Sequence, residues 1–278
     1  MNTLDFSLLV WFGSLSAGFL GALTGLGGGV VIVPFLSVVC RVDLHYAIGA
    51  SLVSVIATSS GAASAYVKEG YTNMRLGMFL EIATTFGAIA GAVVAAKIST
   101  GAIAIVFGIV LLYSAYLSRK PYSENIDNLP PDPLATRLKL NSTYPTSTGE
   151  QSYNVRGVPF GFGLMFIAGV FSGLLGIGSG ALKVLAMDQI MHIPFKVSTT
   201  TSNFMIGVTA AASAGIYLNR GYIDPGLAMP VMLGVLCGAV LGARVLVRAR
   251  VQLLRNIFSG VILVLALEMI YKGLTGRL

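Results

Sequence analysis

Charged residues are scarce in this sequence: Asp, Glu, Lys and Arg make up 10% of it, against roughly 25% in ordinary soluble domains. Hydrophobic residues make up 55%, and the mean hydropathy is +0.82. A soluble fold could not cover so much apolar surface with so few charged groups. Apolar runs that approach the ~20 residues of a spanning helix recur along the chain. The composition therefore excludes an ordinary soluble protein and predicts an all-α polytopic membrane protein.

Cysteine and histidine are also rare, and their placement argues against metal or acid–base chemistry. Cys40 and Cys237 lie far apart without a CxxC spacing, so we expect neither a disulfide nor a metal site. His45 and His192 stand alone near the ends of apolar segments, and no Asp-x-x-Asp cluster occurs. An intramembrane enzyme would need such clusters. We therefore predict that the protein is not an enzyme and carries no cofactor.

The formal net charge of +7 does not indicate a nucleic-acid partner. The cations stand singly at the ends of apolar segments, where membrane proteins carry Lys and Arg. There is no basic patch with interleaved aromatic residues. The partners expected from the sequence are the lipid bilayer and a small ligand.

The most informative feature that is present is an internal repeat with an offset of 151 positions. The glycine-rich segment 18–29 returns as 169–180, and in each copy a glycine run interrupts an otherwise apolar stretch. The chain is thus interpreted as a first repeat over 6–118, a polar linker over 119–157 and a second repeat over 158–272. Paired interruptions in corresponding apolar segments point to the binding site of a transporter.

Each repeat is predicted to contain a broken or re-entrant helical hairpin followed by three transmembrane helices. If each hairpin returns to its starting side, twelve cations lie on one side of the membrane: Lys68, Arg75, Arg119, Lys120, Arg137, Lys139, Arg156, Lys196, Arg244, Arg248, Arg250 and Arg255. Five then lie on the other side: Arg41, Lys97, Arg220, Lys272 and Arg277. The positive-inside rule favours this split over the ten to seven obtained if each hairpin crosses once.

This topology has an odd number of crossings in each half, so it predicts two inverted repeats. It places the N-terminus outside, the linker in the cytoplasm and the protein in the inner (plasma) membrane of the cell. The linker is rich in Pro, Ser, Thr and Asn and has no apolar periodicity. We expect it to be a mobile connector without a core.

The glycine runs are the first candidate for a ligand site. A glycine run in a membrane helix exposes backbone groups, which is tolerated where protein or a water-filled cavity satisfies them. Helices restarting near residues 29 and 180 would point their N-termini at a common anion site. The predicted contacts are Gly27, Gly28, Gly29, Gly178, Ser179 and Gly180. The alternative is close helix packing through small residues, which we prefer for Gly87 and Gly91.

A second candidate group consists of hydroxyl and amide side chains near the start of the next span in each half. Ser51 in the first repeat matches Ser202 in the second, where Thr201 and Asn203 flank it. Such groups can hydrogen-bond a ligand oxygen without the cost of a buried charge. Alternatively, the hydroxyls bond carbonyls of their own helix.

Two charged residues fall inside the apolar segments. Lys183 comes three residues after the second glycine run, where a cation would reinforce an anion site; a lysine that extends to the interface is the alternative. Glu81 is either a proton carrier or a polar group near the membrane edge. Their counterparts in the other repeat, Ile32 and Met232, are apolar.

The paired glycine motifs, the clusters Ala50-Ser-Leu52 and Thr201-Ser-Asn203, and the matched loops at Gly70-Tyr71 and Gly221-Tyr222 resemble the TauE/SafE sulfite exporter family. The resemblance covers nearly the whole chain except the linker. It implies transport of sulfur-containing anions such as sulfite or the organosulfonate sulfoacetate. We expect a secondary carrier that binds the anion at the midplane between the two repeats, and a coupling proton or sodium ion is a candidate partner. An anion channel with glycine-rich re-entrant hairpins stays open as the alternative.

Overall fold

The computed structural model describes residues 3–24, 28–68, 70–119, 132–146, 149–246 and 251–276. It is predominantly helical, with one short β-hairpin, as expected for a membrane protein of this composition. In chain order the elements are α1 (Thr3–Thr24), α2 (Gly29–Pro34) with a π-helical turn (Phe35–Val39), α3 (Leu44–Lys68), α4 (Met74–Ala95), α5 (Thr100–Arg119), α6 (Pro133–Arg137), β1 (Ser142–Thr146), β2 (Gly149–Tyr153), α7 (Val158–Leu175), α8 (Gly180–Leu185) with a second π-helical turn (Ala186–Ile190), α9 (Phe195–Asn219), α10 (Pro225–Leu246) and α11 (Val251–Thr275).

The helices recur at the offset seen in the sequence. α8 and its π-helical turn begin and end 151 positions after α2 and its π-helical turn, and α9 and α10 have the same relation to α3 and α4. The first helix of each half packs mainly against the fourth helix of the other half, α1 on α10 and α7 on α4. α3 and α9 pack against each other at the centre, and α5 packs against α11. The inverted orientation of the two halves in the membrane stays a prediction.

Each interrupted stretch forms a hairpin of two unequal limbs. α1 has 22 residues, about 33 Å at 1.5 Å per residue, whereas the returning limb of α2 and its π-helical turn spans roughly half that length. In the second hairpin the returning limb ends beside the start of α7, since the backbone N–H of Arg156 donates to the carbonyl of Met191 at 3.1 Å. The sequence had suggested two short limbs. The first limb is instead long enough to span the bilayer.

The outer surface of the helices carries many large apolar side chains, and the buried interior contains polar side chains as well as apolar ones. Among the described residues, four helices are long and apolar enough to cross a membrane, within Asp5–Ala22, Met74–Ala95, Val158–Leu175 and Pro225–Gly242. Met78 and Phe86 on α4 are 65% and 66% exposed, while Ser198, Thr201 and Ser202 on α9 are fully buried. The hydrocarbon core of a bilayer offers apolar contacts but no hydrogen bonds. It therefore favours apolar side chains on the outer surface and polar side chains in the interior.

Glycines bring the two halves into close contact. A Cβ atom at Gly87 or Gly91 of α4 would overlap backbone carbonyl oxygens of α7, and one at Gly173 of α7 would overlap the carbonyl oxygen of Ala88. The contact of α1 with α10 is built in the same way, through Gly238 and its neighbours. The structure thus confirms that Gly87 and Gly91 serve helix packing.

The polar linker differs from the expectation of a mobile connector. In its described part, α6 begins with Asp132 Oδ1 accepting from Leu134 N–H, and β1 pairs antiparallel with β2. Ala135, Leu140, Tyr153 and Val155 are buried in a core shared with the start of α4 and with α7. A few apolar side chains suffice here because the helix ends supply the rest of the core.

One side chain of the membrane domain holds this linker core in place. Asn73 Nδ2 donates to the carbonyl of Leu140 and to the hydroxyl of Tyr153, both at 2.8 Å, and Asn73 Oδ1 caps α4. Burial raises the pKa of Tyr153 to about 12, against the lowering effect of its hydrogen bond to Asn73. The hydroxyl is therefore neutral at physiological pH and remains available to that bond.

Candidate functional site

The two glycine runs meet between α3 and α9. A Cβ atom at Gly29 would lie 2.9 Å from the carbonyl oxygen of Gly176, so the start of α2 touches the turn preceding α8. Gly176, Gly178 and Ser179 all have left-handed backbone conformations, with φ of 67°, 70° and 51°. Only glycine adopts this conformation without cost, so Ser179 is a strained position. Gly27 lies outside the described residues.

The serines matched by the repeat both support the second turn. Ser51 Oγ donates to the carbonyl of Gly176 at 2.7 Å, and Ser202 Oγ donates to the carbonyl of Gly180 at 3.3 Å. Both side chains are fully buried. The hydroxyl of Ser51 satisfies the Gly176 carbonyl, which the end of α7 leaves without an intrahelical partner, as a structure inside a membrane requires. The hydroxyl of Ser202 adds a bond to the first residue of α8.

The residues on either side of Ser202 differ in whether their side chains have a hydrogen-bond partner. Thr201 faces α4, where its Oγ1 accepts from the backbone N–H of Asn73 at 3.1 Å. Asn203 is 1% exposed, and neither Nδ2 nor Oδ1 has a hydrogen-bond partner. The Oγ of Ser179 is likewise buried without a partner. A buried polar group left unsatisfied costs about 1–3 kcal/mol, so a ligand that bonded these groups would recover that energy.

The structure brings together the two intramembrane charges that the sequence showed separately. Lys183 on α8 is fully buried and its Nζ lies 3.5 Å from Oε2 of Glu81 on α4, which is 8% exposed. The hydroxyl of Thr209 on α9 bonds both the lysine Nζ and the glutamate Oε1. Three helices from both halves therefore converge on one buried ion pair.

Sequence reasoning missed two side chains of this cluster. Thr209 bridges the pair, and Thr84 Oγ1 lies 3.4 Å from the hydroxyl of Thr209. Thr209 matches Thr58 at the repeat offset, which was the available signal. The pairing of Lys183 with Glu81 left no signal in the repeat, because both of their counterparts are apolar.

The short helices contribute less to an anion site than the sequence suggested. α2 and α8 have six residues each before the π-helical turns. Since the helix dipole is the sum of aligned peptide dipoles, so short a segment supplies little positive potential. The capacity to bind an anion therefore depends on side chains. Among the described residues, no group of three or more His, Cys, Asp or Glu could hold a metal ion.

Comparison with known proteins identifies the family. The sequence profile described as "Sulfite exporter TauE/SafE" matches residues 10–269. The chain belongs to the TauE/SafE sulfite exporter family. This is a family of membrane transporters, and the family predicted from the sequence is confirmed.

Relatives of this TauE/SafE protein match along nearly their full length. "Probable membrane transporter protein YunE" of Bacillus subtilis (strain 168) is 29% identical, over 98% of this chain and 99% of its own. "Probable membrane transporter protein YdhB" of the same organism is 25% identical, over 85% and 87%. "Probable membrane transporter protein MJ0441" of Methanocaldococcus jannaschii is 24% identical, over 91% of each chain. No solved structure matches.

Proposed function

We propose that the protein is a secondary carrier for small sulfur-containing anions, such as sulfite or an organosulfonate like sulfoacetate. The observation that supports the site is that two polar side chains are buried without a partner: Ser179, in the second glycine turn, and Asn203, which follows the serine that bonds Gly180. The family description supports the substrate class. The anion would bind between the two halves and reach each side in turn.

The position of Ser179 in the chain brings the proposed site close to the ion pair. The backbone N–H of Lys183 donates to the carbonyl of Ser179 at 3.0 Å, so the two residues lie one helical turn apart. Ser179 has a left-handed backbone conformation with φ of 51°, whereas its match in the first half, Gly28, has a right-handed one with φ of −62°. The side chain at 179 therefore has no equivalent in the first half. An anion that bonded the Ser179 hydroxyl would lie one turn of α8 from the residue that carries the ammonium group.

These donors suit a sulfonate or sulfite group. Its three oxygens accept hydrogen bonds, and the site offers a hydroxyl from Ser179, an amide from Asn203 and an ammonium from Lys183. Hydrogen bonds between ionised and neutral partners are roughly twice as strong as neutral ones. The closely packed turns support a carrier over the channel alternative, because a carrier needs no continuous path. Counterflow that saturates with substrate would support the carrier, whereas ohmic single-channel current would support the channel.

Two substitutions that copy the first repeat test this site. Ser179→Gly restores the residue at position 28 and relieves the positive φ, and Asn203→Leu restores the leucine at position 52. Because each residue already occurs at the matched position, we expect both variants to fold. Each loses a hydrogen bond to a charged ligand, worth about 1.5–3 kcal/mol, so sulfoacetate binding measured by isothermal titration should weaken roughly ten- to hundredfold.

Ser60→Ala is the matched control, since the Ser60 hydroxyl bonds its own helix at Ile56 on an exposed face. It should bind sulfoacetate like the unmodified protein. Undiminished binding in both site variants would exclude this site.

Taurine carries its own ammonium group, so it should compete poorly with sulfoacetate. Competition as strong as that of sulfoacetate itself would remove the argument that charge selects the substrate.

For the membrane orientation we propose inverted repeats with the linker in the cytoplasm and the N-terminus outside. The reciprocal packing of α1 on α10 and α7 on α4 supports a two-fold relation between the halves. The linker core lies at the Asn73 end of α4, and Lys97 lies beyond its other end, about 33 Å away. The twelve-to-five distribution of cations then assigns the linker side to the cytoplasm.

Cysteine labelling in intact cells tests this orientation. In a background with Cys40 and Cys237 replaced by serine, Lys97→Cys should react with a membrane-impermeant maleimide. Glu150→Cys, on the exposed β2, should react only after the cells are opened. Labelling of Glu150→Cys in intact cells would show that the linker lies outside and that the proposed orientation is wrong.

A further inference from the structure

The two carboxylate oxygens of Glu81 have different surroundings. Oε1 accepts from the hydroxyls of Thr209 and Thr85. Oε2 is buried and has no hydrogen-bond partner; it faces the Lys183 ammonium at 3.5 Å. Oε2 is therefore the atom of this cluster with a free lone pair and a single electrostatic partner.

Among the described residues of the surrounding helices, no other charged side chain forms an ion pair with Lys183 or Glu81. α7 carries no ionisable side chain. Lys196 lies over the Tyr71 ring at 5.7 Å, and Arg220 donates to the carbonyl of Ala92 at the far end of α9. The remaining ionisable side chains described on these helices lie toward the helix ends or on the outer face: Arg75, Tyr113, Tyr116, Asp188 and Tyr217.

A substrate anion and Glu81 compete for the same ammonium. The proposed anion position at Ser179 lies one turn from Lys183, whose charge is already balanced by the carboxylate. An anion added to this neutral pair would place a net negative charge inside the membrane, which is costly. Neutralising Glu81 lowers the net negative charge of the cluster by one and frees the lysine to pair with the anion.

We propose that Glu81 is the site at which substrate binding is coupled to a proton. When the anion binds, an O–H bond forms at Oε2 with a proton taken from the aqueous phase on the side of entry, and the ion pair with Lys183 opens. The ammonium then pairs with the anion. Release of the anion returns the proton and restores the pair, so proton and anion move in the same direction. This inference rests on the proposed function.

Proton uptake by the unmodified protein is the primary test. Sulfoacetate is the probe, because its charge stays constant over about pH 6–8. Titration calorimetry in two buffers of different ionisation enthalpy should report one proton taken up per anion bound. The dissociation constant should accordingly rise about tenfold for each pH unit where Glu81 is ionised before binding.

Glu81→Gln supplies the matched comparison, since it mimics the protonated side chain. This variant should bind sulfoacetate without proton uptake and independently of pH. In proteoliposomes it should exchange substrate for substrate, while a trapped pH dye no longer reports protons entering with the anion. Met232→Gln, at the matched position of the other half, and Lys196→Gln, at an exposed cation, should keep the proton count of the unmodified protein.

The outcomes separate this inference from the function on which it rests. If the unmodified protein binds none of the sulfur-containing anions and shows no counterflow, the proposed function fails, and the coupling with it. If it binds sulfoacetate without taking up a proton, the coupling proposal alone is overturned. A Glu81→Gln variant that folds and still takes up one proton per anion would also overturn it. Proton uptake in the unmodified protein does not depend on the stability of any variant.

Discussion

Replacing Lys183 with methionine should destabilise the protein by about 3–5 kcal/mol, the usual cost of removing one partner from a buried ion pair. Methionine approximates the length of the lysine side chain and leaves the packing of α8 nearly unchanged. The cost arises because the Glu81 carboxylate, 8% exposed, loses the ammonium at 3.5 Å and keeps only hydroxyl donors. The measurement is unfolding of the purified protein in detergent, followed by tryptophan fluorescence or helical circular dichroism.

The double variant Lys183→Met with Glu81→Met separates the pair from the packing. Removing both charges leaves no unpaired group, so most of the lost stability should return. Lys196→Met, which removes an exposed cation from α9, should change stability by less than about 1 kcal/mol. A single variant as stable as the unmodified protein would mean that the two charges do not form a buried pair.

The sequence was most informative where a structural requirement leaves the same residues in both halves. The interrupted hairpins, the serines that bond the glycine turns and the glycines that bring α4 close to α7 are all visible as matched positions. An interrupted helix must satisfy its exposed carbonyls, and close helices must lack side chains at the contact. Those requirements act on each half alike, so the repeat displays them.

The features that differ between the halves could not be predicted in the same way. Lys183 and Glu81 are each conspicuous as charges in apolar segments, but they lie in different halves and their counterparts are apolar. Their contact follows from the packing of α4 and α8 around α9, which no local pattern specifies. The linker core was missed for a related reason. Its composition is polar on average, but the four buried side chains of its core pack against the ends of α4 and α7.

Valine at Gly173 should cost at least about 3 kcal/mol, above the usual range for an overpacked core. The first carbon of the new side chain would overlap the carbonyl oxygen of Ala88 and lie 2.8 Å from the N atom of Ala92. Both neighbours are backbone atoms of α4, so no change of rotamer relieves the overlap and the two helices must separate. The yield of monodisperse protein and its unfolding temperature measure the effect.

Gly163→Val is the control on the same helix, because no atom lies within 4 Å of its Cβ position. There the new side chain projects outward, and the helix propensity of valine exceeds that of glycine by a few tenths of a kcal/mol. A Gly163 variant that is as unstable as the Gly173 variant would show that valine harms α7 anywhere along its length. A difference of several kcal/mol would instead show that glycine at 173 is required by the contact of α7 with α4. Since that contact joins the two halves, separating these helices should also displace Glu81 on α4 from Lys183 and weaken sulfoacetate binding in the Gly173 variant alone.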